Sequence, residues 1–154
     1  MFRTILAVAA ALCVAGAAQA KDLHKDGMTV AEVQRWLQDA GLRAEVMKDD
    51  DGSEFLLSSA EGLNFVVFLL DCKGPRCASL QFALFGAEEQ TVAFEAVNAW
   101  NLQHRFTTAM RSDEGHLFFR QDVASAPGVT DTGLDDQLAI WLTSLPDMRE
   151  MLTK

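Results

Sequence analysis

Six consecutive residues, Phe65-Val66-Val67-Phe68-Leu69-Leu70, carry no polar side chain, and turn residues bracket them: Glu61-Gly62 before, Lys73-Gly74-Pro75-Arg76 after. The run is too short to cross a membrane as a helix and is rich in β-branched and aromatic side chains. With Asn64 before it, it therefore predicts a buried β-strand. A strand that is apolar on both of its alternating sets is expected at the centre of a sheet, covered on both faces.

The neighbouring segments supply partners for that strand. Leu42 to Lys48 alternates apolar and polar residues, Asp49-Asp50-Asp51-Gly52 provides a turn, and Glu54 to Ser58 resumes extended character, which predicts a hairpin. Ser79 to Phe85 alternates again as a fourth strand. Phe106 to Arg111, the Ser112-Asp113-Glu114-Gly115 turn and Leu117 to Val123 predict another hairpin. Helical spacing appears three times. Thr29-Val30-Ala31-Glu32 is a capping box that opens a helix running to Ala40, with Gly41 ending it. Val92, Ala96, Val97, Trp100 and His104 share one stripe of a second helix, expected from about Glu88 to Arg105. Leu134, Leu138, Trp141, Leu142 and Leu145 mark a third, from about Gly133 to Ser144, capped by Asp131 or Thr132, with Pro146 interrupting or restarting it. The order α-β-β-β-β-α-β-β-α, with consecutive hairpins, predicts an α+β fold in which helices pack on a mainly antiparallel sheet. No repeat or flexible linker divides the chain, so residues 21–154 are expected to form a single domain.

The N-terminus has a different character. Arg3 is the only charge in the first twenty residues, an apolar run extends from Ile5 to Ala18, and Ala18-Gln19-Ala20 places small residues where signal peptidase requires them. A secretory signal peptide cleaved after Ala20 is expected, and with it a periplasmic location. A membrane helix is the poorer reading of so short and Ala-rich a run, and Leu12 before Cys13 lacks the small residue that lipoprotein processing needs. No membrane span is expected after cleavage. The chain carries 13 Lys+Arg against 22 Asp+Glu; without Arg3 the balance is 12 against 22, a net charge near −10. Such a surface excludes a nucleic-acid partner, because phosphate binding needs a basic face.

After Cys13 leaves with the signal peptide, Cys72 and Cys77 remain as an even pair in an oxidising compartment. They flank a turn between two strands, where a disulfide would staple the hairpin. The alternatives are a redox pair, although the spacing is C-x4-C, or free thiols. Two thiolates with no second pair nearby make an incomplete zinc site.

Val97-Asn98-Ala99-Trp100-Asn101-Leu102-Gln103-His104-Arg105-Phe106, followed by a hairpin with an acidic Gly turn, resembles the hallmark of the YbjN-domain family. The resemblance covers essentially the whole mature chain, including the first helix ending in Gly41-Leu42. It implies a fold similar to type III secretion chaperones, small acidic α+β proteins that commonly dimerise and hold polypeptides. It also carries a label as bacterial sensory transduction regulators. The signal peptide and the two cysteines set this chain apart from the usual cytosolic members.

Within that motif, Trp100 is expected on the buried side of its helix. Asn98 and Asn101 are expected to satisfy backbone groups where helix meets strand, and Arg105 to suit the helix C-terminus. His24, His104 and His116 show no metal spacing, and His24 is expected in a flexible leader. Neither Asp49-Asp50-Asp51-Gly52 nor Asp113-Glu114-Gly115 has the anchor ligands of a calcium loop. No phosphate loop, nucleophile elbow or zinc-protease helix is present, and no residue pattern requires a cofactor. The expectation is a non-enzymatic protein that binds another polypeptide or itself. Ile140 and Met148, lying off the stripe of the third helix, suggest surplus apolar surface for a dimer there. The rival is a small-ligand sensor with a pocket between sheet and helices; an enzyme with dispersed catalytic residues is a third reading. Protein recovered from the exporting cell is expected to begin at Lys21, which intact-mass measurement of the soluble fraction checks.

Overall fold

A computed structural model describes residues 23–87 and 91–153. The expected signal peptide and the expected start of the second helix at Glu88 lie outside the described residues. The described chain opens with a two-residue strand, β1 (Leu23–His24), which pairs antiparallel with Val129 and Thr130. Thr29 then caps α1 (Val30–Asp39): its hydroxyl accepts from the Glu32 amide, and the Glu32 carboxylate accepts from the Thr29 amide at 2.8 Å. The helix buries Val33, Trp36 and Leu37.

Four strands follow as hairpins: β2 (Arg43–Lys48), β3 (Glu54–Ala60), β4 (Leu63–Lys73) and β5 (Arg76–Phe85). After α2 (Phe94–Gln103) come β6 (Thr108–Arg111), β7 (Leu117–Ala124), β8 (Val129–Thr130) and α3 (Asp131–Leu152). The main sheet has the order β2-β3-β4-β5-β7-β6, antiparallel throughout. The fold is α+β in the expected order, with β1 and β8 added as a short ribbon that ties the start of the described chain to the start of α3.

The core lies on one face of the sheet. Phe65, Val67, Leu80, Phe82, Leu84 and Phe119 point from β4, β5 and β7 at Trp36, Leu37, Leu134, Leu138, Trp141 and Leu145, and all twelve are buried. β4 is central, as its composition requires, but covered on one face only. Its alternate residues Val66 and Phe68 are half-buried, and no described helix packs over them. The expectation of cover on both faces is corrected here: cross-strand neighbours such as Phe55, 5.6 Å from Phe68 between ring centroids, shield these side chains only partly.

Three further differences have local causes. α2 begins at Phe94, later than its apolar spacing indicated, because Thr91 bridges to His116 and the Val92 amide bonds the Gly115 carbonyl, both in extended backbone. α3 runs unbroken through Pro146. The proline removes a donor, but Leu145 and Met148 on either side of it are fully buried and hold both turns against the core. Its N-cap is Thr130, whose hydroxyl accepts from the Gly133 amide. Met148 is therefore core, not surplus surface as expected, while Ile140 is half-buried.

Gly27 marks the tightest backbone approach. It has φ +84°, and an added Cβ would stand 2.1 Å from the carbonyl oxygen of Cys77. The contact persists because Met28 and Cys77 exchange both backbone hydrogen bonds, at 3.0 and 2.8 Å. Gly27→Ala should cost about 3 kcal/mol or more, adding backbone overpacking to the left-handed penalty. Gly52→Ala, at φ +85° but facing open space, should cost only about 1–2 kcal/mol. Urea denaturation of the two variants checks the difference.

Candidate functional site

The motif residues of α2 sit at the β6 edge of the sheet. Trp100 is buried and its indole N–H donates to the Thr107 carbonyl at 3.1 Å. Asn101 clasps the outer backbone of β6: its amide donates to the Ala109 carbonyl at 3.1 Å, and its side-chain oxygen accepts from the Ala109 N–H at 2.9 Å. Asn98 stays exposed on α2. Arg105 lies beyond the end of the helix, its guanidinium 5.3 Å from the ring of Phe106, and Phe106 is exposed. His104 stacks on Trp100 with ring centroids 3.6 Å apart and reaches Asp147 of α3 at 3.2 Å. Of the motif residues, then, Trp100 and Asn101 fasten α2 to the sheet, whereas Asn98, Arg105 and Phe106 face outward. Phe94 and Leu102 are exposed as well, so α2 buries one side chain only.

The opposite edge is treated alike. β2 has a strand on one side only, and on the other the Ala44 carbonyl accepts from the side-chain amides of Gln34 at 3.0 Å and Gln38 at 3.4 Å, both on α1. Each edge strand thus offers part of its backbone to a helix and not to another strand, which blunts pairing with a foreign chain.

Cys72 and Cys77 are register partners of β4 and β5, with sulfurs 2.09 Å apart. Around them the hairpin grips the start of α1. Arg76 donates to the Gly27 carbonyl at 2.7 Å and pairs with Glu32 at 3.1 Å, and the Ser125 hydroxyl donates to the Cys77 carbonyl at 2.9 Å. Burial alone would raise the Glu32 carboxyl, but the Thr29 amide and hydroxyl and the Arg76 guanidinium outweigh it and hold the group below its ordinary value. This favours the folded form above the ordinary range of a glutamate, and the contribution fades as pH falls through the lowered value.

His24, expected in a flexible leader, is instead held in β1, with its imidazole 2.8 Å from Asp131. Beside it a cleft of about 580 Å³ opens between α1 and α3, walled by Trp36, Leu138 and Leu142 and rimmed by Asp39, Asp131 and Asp135. The Trp36 indole donates to Asp135 at 2.9 Å. Among the described residues no three His, Cys, Asp or Glu side chains stand close enough to share a metal ion, and no described helix is long and apolar enough to cross a membrane.

The sheet face away from the helices is uncovered as well. By strand alternation it carries Phe55, Leu57, Val66, Phe68, Phe85 and Phe118, with Phe85 on Phe118 at 6.0 Å and Phe85 60% exposed. This surface was present in the sequence as the second apolar set of β4, but the same pattern also describes a strand buried on both faces. Periodicity does not separate the two.

The described residues form a two-layer α+β domain with clasped sheet edges and a one-sided core. The family model YbjN, described as "Putative bacterial sensory transduction regulator", matches residues 29–154, and the chain belongs to this family. No curated protein and no solved structure matches. If Asn101 closes the β6 edge, Asn101→Ala should cost about 1–3 kcal/mol, because the buried Ala109 amide loses its partner. Asn98→Ala, at an exposed position, should stay within about 0.5 kcal/mol of the parent in the same denaturation measurement.

Proposed function

We propose that this YbjN-family protein is a non-enzymatic regulatory module, exported to the periplasm, that acts by binding a polypeptide on the uncovered face of its sheet. The observation that carries this reading is the face itself. It carries Phe55 and Leu57 of β3, Val66 and Phe68 of β4 and Phe85 of β5, in a molecule whose sheet edges are clasped and whose α1 and α3 are packed into the core. Contiguous exposed apolar area of this kind marks an interaction surface. Export rests on the Arg3 to Ala20 leader, and the Cys72–Cys77 pair suits an oxidising compartment.

A second reading has its own observation. The α1–α3 cleft has the volume of a small-ligand site and an indole in its wall. Site-specific photo-crosslinking in the exporting cell separates the two. A crosslinker at Phe68 on the sheet face is expected to capture polypeptide, and one at Ala139 in the cleft is expected to capture none. Capture from Ala139 alone, or a metabolite extract that alters Trp36 fluorescence while Phe68 yields nothing, would move the function to the cleft.

A further inference from the structure

We infer that the cleft between α1 and α3 is a binding site for a small organic amine, an ammonium group carried on an apolar body. The inference stands on the cleft alone and does not depend on what the uncovered sheet face receives.

The cleft is open because the two helices are anchored separately. α1 packs against β2 and β3, α3 packs against β7 and β8, and about 580 Å³ lies between the helices. That volume is in the range of small-molecule sites. Two polar links fix the shape of its walls. The Trp36 indole of α1 donates to Asp135 of α3 at 2.9 Å, and His24 of β1 meets Asp131 at 2.8 Å.

Helical spacing sets the chemistry of each wall. On α1, Glu32, Trp36 and Asp39 fall at i, i+4 and i+7, so the lining face reads acid, indole, acid. On α3, Asp131, Asp135, Leu138 and Leu142 fall at i, i+4, i+7 and i+11, so the lining face is anionic in its first turns and apolar beyond them. A wall that is charged at one end and apolar at the other fits a ligand built the same way, with a polar head and a hydrocarbon body.

The sign of the head follows from the lining. Glu32 is paired with Arg76 at 3.1 Å, and Arg76 stands outside the cleft. Asp39, Asp131 and Asp135 then face the single guanidinium of Arg35. The N-terminal dipole of α3 favours the ionised form of Asp131 in its first turn. A carboxylate or phosphate entering this space meets like charge, whereas an ammonium meets opposite charge in surroundings of lower dielectric than water. A bare metal ion does not fit the same lining, because among the described residues no three His, Cys, Asp or Glu side chains can share one. The apolar body is required by Trp36, Leu138 and Leu142, which can replace water around hydrocarbon but not around an inorganic cation.

Nuclear magnetic resonance titration of the processed protein, read at the Trp36 indole N–H, tests the inference with three probes. Octylammonium carries head and body, octanoate has the same body with the opposite charge, and methylammonium has the charge without the body. Octylammonium is expected to shift the Trp36 indole saturably, and the other two to bind at least about tenfold more weakly. Asp39→Asn, at an exposed position, should weaken octylammonium about two- to fivefold. Ala139→Arg places a tethered cation in the cleft from an exposed position and should abolish the shift. The dispersion of the backbone resonances confirms that both variants are folded. No saturable shift with octylammonium overturns the proposal, as does equal binding of octanoate or of methylammonium. A shift that survives Ala139→Arg places the amine elsewhere and overturns it too. Polypeptide captured by the crosslinker at Ala139 overturns the small-molecule occupant in favour of a basic side chain. The Phe68 crosslink reports on the sheet face independently, so failure of either reading is distinguishable from failure of the other.

Discussion

Phe82 is fully buried and contacts three other rings, one from each of three elements. Trp36 of α1 lies 6.4 Å away, Phe65 of β4 6.2 Å, and Trp141 of α3 5.5 Å in a stacked arrangement. Trp141 in turn meets Phe65 edge-on at 5.7 Å. α1 and α3 are therefore anchored on the same pair of central strands, through side chains that each bury some of the largest apolar areas available to a residue. With Trp36 and Trp141 committed to Phe82 and α2 fastened at the β6 edge, no described helix reaches the other side of β4 and β5. The one-sided core follows from this aromatic cluster.

The edges complete that arrangement. A six-stranded antiparallel sheet with one bare face has three routes to another chain: two edges and the face. Gln34 and Gln38 occupy the backbone of β2, and Asn101 occupies that of β6, each with an amide that imitates the hydrogen bonds of a neighbouring strand. Asn101 does so from a helix that buries only Trp100, so α2 is placed more by polar clasping than by apolar area. Closing both edges leaves the uncovered face, which presents side chains and no unpaired backbone.

Element types and their order were legible because they rest on local physics: the Thr29–Glu32 capping box, turn residues between alternating runs, and the apolar stripe Leu134-Leu138-Trp141-Leu145. What was not legible depends on distant partners. Pro146 reads as a helix breaker until Leu145 and Met148 are seen to be buried. His24 reads as leader until β8 pairs with β1. Val92 has helical spacing, yet its amide goes to Gly115 of a hairpin more than twenty residues away. The uncovered face was half legible. Its residues stand in the apolar run from Phe65 to Leu70, but whether the second set meets a helix or water is decided by how many helices the core consumes.

The composition that makes β4 central also leaves it poorly specified. A one-residue slip against its neighbours would exchange Phe65 and Val67 for Val66 and Phe68 on the core face, apolar for apolar, so hydrophobic pattern alone penalises the error little. Register has to be imposed at the strand ends, and both ends do so. Ala60 and Leu63 are paired across a two-residue turn whose members, Glu61 at φ 52° and Gly62 at φ 75°, are both left-handed, as a tight hairpin matched to strand twist requires. At the other end Cys72 and Cys77 are themselves register partners, so the bond between them admits one alignment of β4 with β5 and no other. The disulfide closes a loop too short to contribute much through chain entropy. Its larger consequence is to hold Val66 opposite Ala83 and Phe68 opposite Gln81, which sets which side chains the uncovered face presents.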